Sequence, residues 1–496
     1  MLDLRQIKHV SIIGGGTAGW FAALTLRQMF AGHINVQLFE SPEIGIVGVG
    51  EGGLINLVQA LNHLNIPTSE FMRETGAAFK WGFCYEGWRT GKKEDEFYHL
   101  FVNPKAHPFS IQAQAFYPFV SAMLAQNIPL SCATPAFQSI LARVTQHEAA
   151  KVLVQGDQGI SSSFHFDSYR VAQFLAKKAV ERGVRHIQTK VTDIEFDAQR
   201  KAEKIVTEKG DFATDLVIDA SGFSRLIIGK KLKSKWISFK EHLWLDKAIP
   251  FHISHQGQNP ELVTRATAMR AGWMWQIPLV ERIGAGYVFS SEFTTEQQAI
   301  KEIEDYFGFE IEPQRTLNFE PGYFDEVWQN NVLALGLSSG FVEPLEATSI
   351  GQMLEQLRMF EQIVLKSGGI VSALSVKQYN QANAASWECI RDFLRMHYDC
   401  PRRDTPFWQK VADTPYPESY FALKEVFMQR SPRMQDIQGG AQYGWNGIFH
   451  VINWTIVAQA LGLISPEACA VEVSGLHEAQ KTDIKHYLKV LKMTEM

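Results

Sequence analysis

Three glycines at the spacing G-x-G-x-x-G, Gly14, Gly16 and Gly19, carry the first chemistry legible in this chain. The first permits a tight turn, the second lets backbone approach a pyrophosphate, and the third lets a helix pack closely on a strand. A helix starting over Thr17 and Ala18 turns N–H groups and a partial positive charge toward the same anion. Glu40, closing the next strand, is placed to take a ribose hydroxyl. The candidate cofactor cradle is therefore Gly14, Gly16, Thr17, Ala18, Gly19 and Glu40. A second cradle is not legible, because Gly284-Ala285-Gly286 has neither a third glycine nor a helix after it. A single nucleotide site suggests FAD that arrives reduced or is reduced by a partner.

The elements that must hold this cradle are present in the pattern. Residues 9–13 form a β-branched run for a strand, 20–30 read as helix and 35–39 as a second strand. Asp167 is a candidate N-cap for a helix running to Arg182, with Gly183 just past its end. Strands are expected over 204–206 and 212–218 around a Lys209-Gly210 turn. The spacing Ile350, Met353, Leu354, Leu357, Phe360, Val364 is helical, and Gly368-Gly369 ends it.

Composition sets the outer limits. The chain has 496 residues, 46% of them hydrophobic and 20% charged, as in an ordinary large globular enzyme. Lys plus Arg number 48 against 53 Asp plus Glu, a net charge of −5, so nothing attracts nucleic acid or an anionic membrane in general. No apolar run is long enough to span a bilayer or serve as a signal segment, and a cytoplasmic location is expected. The five cysteines (Cys84, Cys132, Cys389, Cys400, Cys469) form no C-x-x-C pair and have no histidine at ligand spacing, which argues against disulfides and a metal site. The aromatic share of 12% fits either an aromatic-lined pocket or simply a large core.

Gly272-Trp273-Met274-Trp275-Gln276-Ile277-Pro278 contains W-x-W-x-I-P, which resembles the fingerprint of the flavin-dependent tryptophan halogenase family. Gly48-Val49-Gly50-Glu51, Phe79-Lys80 followed by Trp88, and Phe97-Tyr98-His99-Leu100-Phe101 resemble further elements of that family. So do Asp219-Ala220-Ser221-Gly222, Phe341-Val342-Glu343-Pro344-Leu345-Glu346 and Asp404-Thr405-Pro406-Phe407-Trp408, all in family order. The resemblance implies an α/β fold: a Rossmann-type FAD module of the aromatic monooxygenase kind with an added, mostly helical substrate region. The two parts are expected to interleave, with 1–78 and 155–380 binding FAD and 79–154 and 381–496 binding substrate. It adds Gly50, Glu51, Asp219 and Gly336 to the cofactor contacts. It also implies a reaction in which reduced FAD, O2 and a halide (chloride or bromide) give hypohalous acid. A separate NAD(P)H-dependent flavin reductase would supply the reduced flavin. The resemblance leaves a homodimer open.

The same resemblance assigns roles. Lys80 would deliver the halogen electrophile, with Phe79, Trp81 and Phe83 expected to enclose it. Glu346 would stabilise the cationic arene intermediate and take its proton, and Glu343 would be structural support. His99, Phe101 and Trp454 would contact the indole ring. Backbone N–H groups of Thr348 and Ser349 would bind halide at a helix start. Here Ala347-Thr348-Ser349 stands where the family typically reads Ser-Thr-Gly, so a φ > 0 requirement at the last position would matter. The amino-acid clamp of the family is not reproduced around Tyr443-Gly444-Trp445-Asn446-Gly447 and Asn453-Trp454, so indole or another indole-bearing molecule is the expected substrate. Two other readings remain: an FAD-dependent aromatic hydroxylase, and a catalytically silent FAD-binding protein.

Overall fold

A computed structural model describes residues 2–30, 32–45, 50–103, 108–109, 117–134, 136–154, 160–437, 444–445 and 447–494. Gly48, Val49, Tyr443 and Asn446 lie outside the described residues. A six-stranded sheet carries the cofactor cradle. Its order is Trp328–Gln329, Val332–Ala334, Leu216–Asp219, His9–Ile13, Asn35–Glu40, Arg185–Gln188, parallel except for the first pair. Buried on both faces, its central strands are near-continuous apolar runs. The helix Thr17–Met29 follows His9–Ile13 and packs against Ser168–Glu181. Asp167 caps the latter as expected, accepting from Tyr169 N and Arg170 N, and Gly183 takes a left-handed φ of 89° after it.

One expected strand is two. Gly210–Ala213 pairs antiparallel with Ala202–Thr207, whereas Leu216–Asp219 joins the parallel sheet. The break falls at Asp215, whose carboxylate accepts from Lys8 N (2.7 Å) and His9 N (2.8 Å) and so pulls the chain from the hairpin to the central sheet.

A seven-stranded sheet forms the second layer, in the order Leu317–Asn318, Lys247–Ile253, Ile283–Phe289, Gly272–Pro278, Val263–Met269, Gly82–Glu86, Glu96–Leu100. Strand alternation places Trp273, Trp275 and Ile277 on one face, in the core shared with the C-terminal helices, and Met274 on the other. Gly82–Glu86, expected in the substrate region, pairs in parallel with Val263–Met269 from the expected FAD part, so one sheet joins the two. A small sheet of Glu51–Gly52, Ser163–Phe166 and Ala78–Lys80 holds Lys80. Among the described residues, no helix is long and apolar enough to cross a membrane.

Candidate active site

The glycines of the cradle divide by what they face. A Cβ on Gly14 would lie 2.2 Å from the Ala220 carbonyl oxygen, and one on Gly19 would lie 1.9 Å from that of Gly14. Those two are required by the chain's own packing. Among the described residues, a Cβ on Gly16 would meet nothing within 4 Å, so this backbone borders open space at the start of the helix Thr17–Met29. That is the fit a pyrophosphate needs. Gly336, at a left-handed φ of 59°, backs onto the Ala18 methyl, which a Cβ would approach to 3.0 Å. Glu40 closes its strand and is bonded to His186 Nε2 at 2.7 Å. Both Asp219 oxygens are taken by the chain: Oδ1 by Ser221, Oδ2 by Ile227 N and Ile228 N. Asp219 shapes the loop beside Gly14 through these bonds. Gly50 is left-handed at φ 69°, and burial pushes the Glu51 carboxyl up to about 7 against a hydrogen bond from Ser168.

Lys80 ends the strand Ala78–Lys80 with its side chain wholly buried. Among the described residues its Nζ has no hydrogen-bond partner, and it sits 3.8 Å from the Phe83 ring centre and 5.5 Å from that of Phe101. Burial brings its pKa down to about 7, with the negative charge of Glu346 opposing. The enclosure differs from the expected one. Alternation along the strand sends Phe79 to Phe164, and Trp81 joins a small core with Ala136 and Leu262. Of the three expected neighbours, Phe83 supplies the ring beside the amine. Gly52 supplies the room, since a Cβ there would lie 2.7 Å from Nζ.

Glu346 sits in a tight turn between Pro344 and the helix Thr348–Lys366, at a left-handed φ of 62°, followed by Ala347 at 54°. Two consecutive non-glycine residues in this region are strained, and such strain persists only where surroundings impose it. The surroundings here are three donors on one oxygen. Oε1 accepts from the Tyr85 hydroxyl, from His99 Nδ1 at 2.7 Å and from His397 Nε2 at 3.3 Å. Burial alone would raise this carboxyl, but His99 and His397 outweigh it and hold it well below the usual range. Oε2 is buried and has no hydrogen-bond partner among the described residues. His99 Nε2 faces the Asn453 amide nitrogen at 2.9 Å, which fixes the proton of a neutral ring on Nδ1. His397 faces acceptors at both nitrogens, the other being the Phe393 carbonyl at 2.8 Å, and donates to both only as the imidazolium. Phe83 stacks on His99 (5.9 Å, 18°), so one ring touches the lysine and another touches the glutamate's partner.

Tyr85, Asn453 and His397 were not among the sequence candidates. Tyr85 shares a strand face with Phe83 by the period of two, a signal visible once that strand is known. His397 ends a 25-residue helix and Asn453 lies in Val451–Ala460, with no local motif to mark them. Glu343 is buried and accepts from Tyr398 OH (2.7 Å) and Trp273 Nε1 (3.1 Å), and burial pushes it up to about 7 despite both bonds. It thereby ties the tryptophan-rich strand to the turn that carries Glu346. Trp454 is buried edge-on to Phe393 at 4.9 Å. Thr348 and Ser349 occupy the first helical turn, where backbone N–H groups lack intrahelical partners. Ser349 is helical there, so replacing glycine adds no left-handed strain, which falls instead on Glu346 and Ala347. His99 and Phe101 line one end of a cleft of about 1290 Å³ that passes between the helices Ile55–His63 and Thr348–Lys366.

Comparison with known proteins bears on the reading. The family profile "Tryptophan halogenase" matches residues 9–473. The chain is 38% identical to protein y4xG of Sinorhizobium fredii, over 100% of this chain and 97% of that one. It is 30% identical to tryptophan 7-halogenase RebH of Lentzea aerocolonigenes, covering 96% and 93% of the two chains. The structure superposes on a flavin-dependent halogenase from Xanthomonas campestris with a TM-score of 0.81 at 28% identity, covering 97% and 96%. On a match that runs from the first strand of the cradle into the C-terminal helices, this chain belongs to the tryptophan halogenase family, whose members are flavin-dependent oxidoreductases.

Proposed function

We propose that this chain halogenates an electron-rich, indole-type arene, using chloride or bromide. The observation that carries the proposal is a buried, unpartnered Lys80 amine joined through Phe83 and His99 to a buried glutamate whose Oε2 is unpartnered. FAD would be held by the open backbone at Gly16, the helix start at Thr17 and Ala18, and the left-handed turns at Gly50 and Gly336. Bound in reduced form, FAD supplies the reducing equivalents with which O2 converts a halide to hypohalous acid. The family suggests that a separate flavin reductase provides that reduced form.

The protein's own residues do the rest. The first turn over Thr348 and Ser349 offers N–H groups to halide, beside the buried, unpartnered Thr348 hydroxyl. A lysine with a pKa near 7 has both ammonium and amine forms available at neutral pH. The ammonium donates a hydrogen bond to hypohalous acid and polarises its halogen, in a site without water's competition. His99 and Phe101 give the arene flat faces at the end of the cleft. The ring attacks the halogen as its bond to oxygen breaks, and a proton from the Lys80 ammonium leaves with that oxygen as water; Glu346 Oε2 stabilises the resulting cationic ring and accepts its proton. The three donors on Oε1 keep the carboxylate ionised and aim Oε2.

The test is the mass spectrum of products formed from indole with a flavin reductase, NADH, FAD, O2 and bromide. The paired isotope peaks of a bromoindole are expected. A gain of one oxygen would instead indicate an aromatic hydroxylase, and absence of any product would favour a silent flavin-binding protein.

A further inference from the structure

Asn453 sits in the first turn of the helix Val451–Ala460, and both ends of its amide are engaged. Oδ1 accepts from the backbone N–H of His450 at 2.8 Å. A backbone N–H can only donate, so this bond fixes which way the amide points and turns Nδ2 toward His99 Nε2 at 2.9 Å. Nδ2 can only donate as well, so His99 Nε2 presents its lone pair. The ring's proton then lies on Nδ1, in the 2.7 Å bond to Glu346 Oε1. Helix start, amide, imidazole and carboxylate form a line in which each member sets the next.

Without that amide the ring would have reason to take a second proton. It is buried and touches a buried carboxylate, and a buried negative charge favours a positive one beside it. Glu346 already has a cation in His397, which donates from both nitrogens. With His99 neutral these three groups balance; with His99 charged they carry an excess positive charge. We propose that Asn453 is a positioning residue of the reaction: its amide donor bars a second proton from His99, so the ring offered to the arene is uncharged. The reason lies in the intermediate. An arene that has gained a halogen is cationic, and an imidazolium face would oppose it where a neutral face does not. An imidazolium on Oε1 would also draw negative charge from Oε2, the oxygen that accepts the ring proton. This rests on the halogenase reading and adds a residue to it.

Asn453→Asp tests the proposal with little disturbance. Aspartate has the same shape, and its carboxylate still accepts from His450 N, so the helix start is kept. Toward His99 it offers an acceptor in place of a donor, and the ring, with acceptors at both nitrogens, should become imidazolium. Imidazole nitrogen NMR shifts of histidine-labelled protein at neutral pH read that state, with the His99 signals assigned by their loss in His99→Gln. The wild type should show a neutral ring with its proton on Nδ1, and the variant a charged ring. With reductase, NADH, FAD, O2, bromide and indole, the variant's kcat should fall by about tenfold or more, while KM and FAD binding stay close to wild type. A ring that stays neutral in the variant, or is already charged in the wild type, overturns the inference. So does a charged ring with kcat unchanged, and in each case the halogenase reading stands. Absence of bromoindole from the wild type itself overturns that reading, and the role argued from it.

Discussion

Replacing Lys80 by methionine should stabilise the protein, by an amount that depends on pH. The amine is buried without a hydrogen-bond partner, and burial takes its pKa from the ordinary 10.5 to about 7. At about 1.4 kcal/mol per tenfold change, the charged form is disfavoured in the fold by on the order of 4–5 kcal/mol. Because the folded value lies below the unfolded one, the unfolded chain holds the extra proton between the two. The destabilisation is therefore complete below about pH 7 and fades as pH rises toward 10.5. Methionine is similar in length, uncharged, and suited to contact with the Phe83 and Phe101 rings. Urea unfolding of both proteins, equally saturated with FAD, should show a gain of about 4–5 kcal/mol at pH 6, shrinking to about 1 at pH 9.5. Equal stability at both pH values, or a gain that ignores pH, would refute the reasoning that a buried cation is being held there for chemistry.

Three further outcomes are expected. Glu346→Gln should lower the halogenation rate about 10²- to 10⁴-fold while FAD titration by fluorescence is unchanged. Tyr85→Phe removes one donor from Glu346 Oε1 and should lower the halogenation rate at neutral pH by about tenfold while FAD binding is unchanged. An unchanged rate would mean that this donor does not help hold Glu346 for the reaction. Gly16→Val should weaken FAD binding at least about tenfold with little change in the unfolding midpoint, whereas Gly14→Ala and Gly19→Ala should unfold readily, given carbonyl oxygens at 2.2 and 1.9 Å from the new carbon. Calorimetry with and without FAD separates the two behaviours.

Local chemistry is what the sequence displays. Gly14, Gly16 and Gly19 are readable because a turn, a close approach and a helix contact are decided within six residues. Asp167 and Gly183 are readable as caps for the same reason. The split at Asp215 was not, because its partners, Lys8 and His9, lie 207 and 206 residues away. The glutamate's setting is hidden likewise. Tyr85 comes from 261 residues away, His99 from 247 and His397 from 51, and no spacing rule links them. Lys80 shows the limit of reading neighbours in sequence as neighbours in space. Phe79 and Trp81 flank it in the chain, yet the rings at its amine are Phe83 and Phe101. The residue types at Lys80 and Glu346 could be read from the sequence. Their electrostatics depend on which groups the fold brings to them.

The central claim is that the halogen electrophile reaches the arene by way of Lys80. It is tested most directly by Lys80→Ala in the complete system of reductase, NADH, FAD, O2, bromide and indole, following O2 uptake, hydrogen peroxide and bromoindole together. The account predicts that O2 consumption and peroxide formation continue while bromoindole disappears, since the lysine acts after the flavin has done its part. Bromoindole formed at an undiminished rate would contradict it.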